Sequence, residues 1–135
     1  IIKDSIQLVD ARLIYLQCEL LSGNDNFITT TFERNVELIS DKDANIYLST
    51  TLEFEKDSQF SLHCIHKGHC LATLDLNEVE FERYLYSIAV PLLLPYAREC
   101  VANTMIRMGL APYNLPTMDI LLSDESNNRE NEGGE

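Results

Sequence analysis

Residues 92–109 read LLLPYARECVANTMIRMG, with a proline near the start, a glycine at the end and apolar residues at helical spacing between. Pro95 fixes its own φ and lacks a donor that a first helical turn would leave unused, so it suits the entry. Ala97, Val101, Met105 and Met108 recur at intervals of three or four and share one face of a helix over 96–108. Gly109 stands where a helix C-terminus wants a residue with positive φ. The stretch carries no phosphate-binding glycine loop, so ATP-driven work is not expected of it.

Working upstream, the same period runs through LNEVEFERYLYSI, where Phe81, Leu85 and Ile88 fall on one stripe. Asp75 followed by Glu78 resembles a capping box with acids in the first turn. Pro91 in VPLLLP is expected to break the helix, and Pro95 to restart it.

Further upstream the period falls to two. Ile14, Leu16, Cys18 and Leu20 share one face of RLIYLQCELL, and Phe32, Val36 and Leu38 one face of FERNVELIS. Ile46, Leu48, Leu52 and Phe54 alternate in IYLSTTLEF, and Phe60, Leu62 and Cys64 in FSLHCIHKGHCLA. DKDAN and EKDS read as turns. The expected class is α+β: a four-stranded antiparallel sheet followed by a long broken helix packed on one face. Residues 1–122 form one domain in this reading, and SDESNNRENEGGE, residues 123–135, is an acidic tail too poor in apolar residues to order itself.

The chain has 135 residues and a formal net charge of −12, with 45% apolar residues. Phosphate binding needs concentrated Lys and Arg, so nucleic acid is excluded as a partner, as is docking on anionic membranes. No window supplies the roughly 18 apolar residues of a membrane span. IIKDSIQLVD has no basic region ahead of a continuous apolar run, and Cys18, Cys64, Cys70 and Cys100 lie in strands and helix rather than loops. Reduced thiols and a cytoplasmic location are the expectation.

HCIHKGHC gathers His63, Cys64, His66, His69 and Cys70. On a strand His63 points away from Cys64 and His66, and no second ligand pair appears, so core packing is preferred to a metal site. A metal- or small-ligand-binding α+β protein using that strand remains the alternative of another class. Cys100 has no histidine near it in sequence and reads as packing. Glu78, Glu80 and Glu82 read as a solvated helix face. The expectation is a protein that is not an enzyme and needs no cofactor.

At PYARE (Pro95, Tyr96, Ala97, Arg98 and Glu99), followed by Gly109, Pro112, Asn114, Leu115 and Pro116, the chain resembles the SecB family. These are tetrameric bacterial chaperones that hold unfolded precursors for export without ATP. The order of elements, strands first and then helix and connection, resembles theirs as well. The resemblance implies a homo-oligomer, a dimer of dimers paired through sheets and helices, with Tyr96, Ala97, Val101, Met105 and Met108 at the helix interface. It implies unfolded polypeptide as client, held in a groove whose matching residues are Phe60, Leu62, Cys64, Leu110, Tyr113, Leu115, Met118 and Ile120. It also implies contact with the SecA motor through acids on the outer sheet face. The matching positions here are Gln17, Leu21, Ser61 and His63, none acidic, so SecA binding is expected to be weak. Two functions follow: an ATP-independent holdase in protein export, or a SecB-like chaperone dedicated to one client such as an antitoxin and uncoupled from SecA.

Overall fold

The computed structural model describes residues 5–73 and 75–115, so Met118, Ile120 and the 123–135 tail lie outside the described residues. Four strands precede one helix: β1 (Ile6–Leu20), β2 (Ile28–Leu38), β3 (Asp43–Phe54), β4 (Phe60–Ala72) and α1 (Glu78–Arg107). The sheet order is β1-β4-β3-β2 with every pair antiparallel. The last strand is therefore inserted between the first and the third.

The alternation read in the sequence becomes two faces. Ala44, Ile46, Leu48, Thr50 and Leu52 of β3 are buried on the helix side, as are Phe60, Leu62, Cys64, His66, Cys70 and Ala72 of β4. β1 departs from strict alternation, with register shifts between Leu8 and Asp10 and between Leu13 and Tyr15. Ile14 is thus an extra residue in a bulge, and Leu13, rather than Ile14, shares the face of Leu16, Cys18 and Leu20.

α1 is a single helix of 30 residues with Pro91 and Pro95 inside it, so the expected break does not occur. Pro91 is half-buried and Pro95 exposed, on the side of the helix away from the core. There, water can serve the carbonyls of Ser87 and Pro91, which lose their donors. Ala89, Val90, Leu93, Leu94 and Ala97 around them are buried against the sheet. That burial, roughly 1.5–3 kcal/mol for each large side chain, offsets the ~3 kcal/mol cost of an interior proline. The N-cap is Asn77, whose Oδ1 accepts from the Glu80 N–H at 2.8 Å, while Asp75 pairs with Lys42 at 2.9 Å. At the other end Gly109 takes φ +78°. Its N–H donates to Ile106 O and the Leu110 N–H to Met105 O, both at 2.9 Å, which is a Schellman motif with Leu110 and Met105 in apolar contact with the core.

Gly68 on β4 is where the layers come closest. A Cβ there would meet Leu8 Cδ1 at 2.8 Å, Ile46 Cγ1 at 3.0 Å and Leu93 Cδ2 at 3.1 Å. Gly68→Val should lower stability by ~2–3 kcal/mol through overpacking, or about 10 °C in Tm for a domain this size. A shift under about 2 °C in a circular-dichroism melt would show that helix and sheet are further apart than this.

Candidate functional site

Among the described residues the strand order leaves β1 and β2 as the two edges of the sheet, each with a row of backbone groups open to pairing. Both edges carry apolar side chains that the described residues leave partly uncovered.

On β1, Leu13, Leu16 and Leu20 lie opposite buried His66, Cys64 and Phe60, on the helix side. They are nevertheless 44%, 42% and 58% exposed, because α1 does not roof the edge strand. Tyr96 and Ile106 of α1 are exposed as well. Between strand and helix runs a cleft of about 280 Å³ whose lining includes Leu13, Leu16, His66, Tyr96, Cys100 and Arg107. An open edge of 15 residues with such a row of leucines is a surface suited to burial against another chain.

On β2, Ile28, Phe32, Val36 and Leu38 are half-buried on the helix side, and Phe27 at the strand's entry is 77% exposed. The connection after α1 folds back to this edge. The Tyr113 N–H donates to Met105 Sδ at 3.3 Å, and Thr30 Oγ1 donates to the Tyr113 hydroxyl, also at 3.3 Å. Tyr113 is left half-buried beside β2, and Leu110, earlier in the same connection, is half-buried against the core. Arg34 interrupts the row, donating to Tyr86 O at 2.6 Å and sitting over the Tyr86 ring. Together, edge and connection make a shallow apolar margin along a free strand, the shape an extended polypeptide can join by β-augmentation.

The structure redistributes the residues expected from sequence. Phe60, Leu62 and Cys64 are 2%, 1% and 0% exposed beneath α1, and Leu115 is 5% exposed, so none of these four offers surface to a client. Leu110 and Tyr113 are only half-buried and keep some surface. Ala97, Val101 and Met105 are 0%, 0% and 3% exposed in the subunit's own core, which corrects the reading of them as an oligomer interface. The apolar stripe of the helix meets the sheet of its own chain. Met108 packs against the same core, and Tyr96 alone of that set points outward. Leu13 escaped sequence reading because the bulge at Ile14 hides the face it shares with Leu16 and Leu20.

The histidine and cysteine run divides between faces, as alternation requires. Cys64, His66 and Cys70 are buried. On the outer face His63 Nε2 lies 2.7 Å from Ser49 Oγ and its ring packs on Tyr15, whose hydroxyl donates to Gln17 Oε1 at 2.9 Å. His69 pairs with Asp43. Among the described residues no group of three or more His, Cys, Asp or Glu is disposed to hold a metal ion. Burial raises the Cys70 thiol to about 11. Cys100, which lacks a histidine nearby in sequence, has one in space: Cys64 first, then His66, stabilise its thiolate and pull its pKa down, while Cys64 is pushed up.

Comparison with solved structures shows the fold alone: it is that of a SecB-like chaperone. The chain superposes on the Mycobacterium tuberculosis SecB-like chaperone Rv1957, in complex with a ChAD peptide from the Rv1956 HigA1 antitoxin, with TM-score 0.74 and 20% identity. The match covers 86% of this chain and 93% of that one. A Streptococcus agalactiae protein of unknown function is similar at TM-score 0.57 and 14% identity, over 83% of this chain and 97% of its own. No family model matches the sequence, and no curated protein matches it. No helix among the described residues is long and apolar enough to cross a membrane.

Proposed function

We propose that this chain is a SecB-like, nucleotide-independent chaperone that holds an extended, unfolded segment of polypeptide, and that it serves a dedicated client, of which an antitoxin is the leading case. The observation that carries the reading is the edge of β2, unpaired among the described residues and margined by half-buried Ile28, Phe32 and Tyr113, with Leu110 in the same connection as Tyr113. Main-chain pairing to the edge supplies affinity that tolerates sequence, and the apolar margin favours chains that have not buried their own. The solved relative in complex with an antitoxin peptide supports a polypeptide ligand on this fold and favours the dedicated-client form. A net charge of −12 speeds encounter with basic segments. Gln17, Leu21, Ser61 and His63 supply no carboxylate for a motor such as SecA, so export coupling is the weaker form of the proposal. The exposed leucines of β1 belong, in the same proposal, to self-association, edge to edge into a dimer, with Tyr96 and Ile106 available for a dimer of dimers.

The test is dilution of a denatured client, including an antitoxin-type protein, into buffer with and without the chain, followed by light scattering. The chain should suppress aggregation without nucleotide and bind the unfolded client in preference to its native form. Leu110→Ala with Tyr113→Ala should weaken client binding about tenfold, the equivalent of ~1.4 kcal/mol for two partly buried apolar groups, while the oligomer persists. Unchanged affinity in that variant removes the connection from the site, and equal affinity for native and unfolded client removes the function.

A further inference from the structure

One cluster of reactive side chains lies apart from the β2 groove. In the cleft between β1 and α1, half-buried Cys100 stands with His66 on the lining, and Cys64 lies against it from beneath. His66 is 3% exposed, and its Nδ1 has no hydrogen-bond partner among the described residues. A buried nitrogen left unpaired is costly, and the histidine that carries it lines a cleft open to solvent. Arg12, Glu99 and Arg107 complete the charged lining, Arg12 being held by Asp10.

We propose that Cys100 is a thiol-modification site at which a low-molecular-weight disulfide of the glutathione class enters the cleft and forms a mixed disulfide. The Cys100 thiolate attacks one sulfur of the incoming disulfide. The new Sγ–S bond forms as the original S–S bond breaks, and the departing half leaves as a thiolate that takes a proton from water. Cys100 is oxidised, half of the small disulfide is reduced, and no further reagent is required. Cys64 and His66 are the positioning residues, favouring the thiolate by hydrogen bonding and, for His66, by charge. Arg107 is placed to meet a carboxylate of the entering molecule. Because nucleophilicity falls with thiol pKa, the advantage over an ordinary cysteine is greatest at mildly acid pH, where ordinary thiols are almost wholly protonated.

Cys18 supplies the internal control: it is exposed on β1, whereas Cys100 is only half so. By exposure alone Cys18 reacts first. The full chain is treated with oxidised glutathione at pH 6 and pH 8 and mapped by peptide mass spectrometry. A second copy seated on β1 would cover the cleft, so the reaction is run at submicromolar chain. At pH 6 Cys100 should react at least about tenfold faster than Cys18, with the gap narrowing at pH 8. Cys100→Ser should lose the pH 6 adduct and Cys18→Ser should keep it. His66→Asn should move the Cys100 profile toward that of an ordinary thiol; should that variant not fold, the wild-type profile decides alone. Arg107→Gln should slow glutathione disulfide and leave uncharged hydroxyethyl disulfide unaffected. Preferential reaction of Cys18 at both pH values, or a Cys100 rate that climbs with pH as an ordinary thiol does, overturns the proposal.

Discussion

A chain carrying Leu13→Asp and Leu16→Asp is expected to sediment as a folded monomer at micromolar concentrations where the proposed edge-to-edge pairing makes the wild type a dimer or larger. Both side chains are more than 40% exposed in the subunit, so they contribute little to its own core. They nonetheless sit on the helix side of an unpaired edge strand, opposite two buried residues of β4. A second copy that pairs with β1 would bury them, and a carboxylate taken into such an interface without a partner costs several kcal/mol. Two of them should raise the dissociation constant at least about a hundredfold, equivalent to ~2.7 kcal/mol. Circular dichroism should show unchanged secondary structure. A wild-type chain that remains a monomer near its single-chain mass, or a variant that assembles as well as the wild type, would remove β1 from the assembly.

Met105→Glu is expected to do something different: to leave no folded subunit. Met105 is 3% exposed, its Sδ accepts the Tyr113 N–H, and its carbonyl accepts the Leu110 N–H that ends the helix. Glutamate there forfeits the apolar contacts and places a charge among Val101, Leu115 and their neighbours in the core. The combined cost is on the order of 5 kcal/mol or more, comparable to the whole stability of a domain this size. Met105→Leu, which conserves volume, should cost under about 1.5 kcal/mol. The readout is a cooperative thermal transition, present for leucine and absent for glutamate. A folded Met105→Glu chain that merely forms smaller assemblies would restore this face of α1 to an interface.

Much of the fold was readable because alternation on β3 and β4 is strict and because both are covered on one side. The helix stop was readable too, since only glycine adopts positive φ cheaply and Gly109 stands alone at that place. The start was misplaced by two residues: Asp75 and Asn77 are both competent caps, and the ion pair with Lys42 takes Asp75 away. The break at Pro91 failed for a related reason. Proline removes a hydrogen bond wherever it stands, but whether the helix survives depends on whether water or core surrounds the orphaned carbonyl. Of the groove proposed above, Leu110 and Tyr113 come from the sequence reading and Ile28 and Phe32 only from the sheet order, because a β2 side chain looks the same in sequence whether its strand is central or at an edge.

By itself the sequence determined the order of four strands and a helix, the two-residue and 3.6-residue periods that place side chains on common faces, and the absence of a nucleotide loop from the stretch around α1. Those are local properties, dictated by backbone geometry and by each residue's own chemistry. Tertiary structure decided what each face meets. It turned Ala97, Val101 and Met105 inward onto their own sheet, left Leu13, Leu16 and Leu20 without a roof, and brought Cys100 to His66. Periodicity states which residues point the same way; only the packing of α1 across β2, β3 and β4, with most of β1 left uncovered, states which of them are buried.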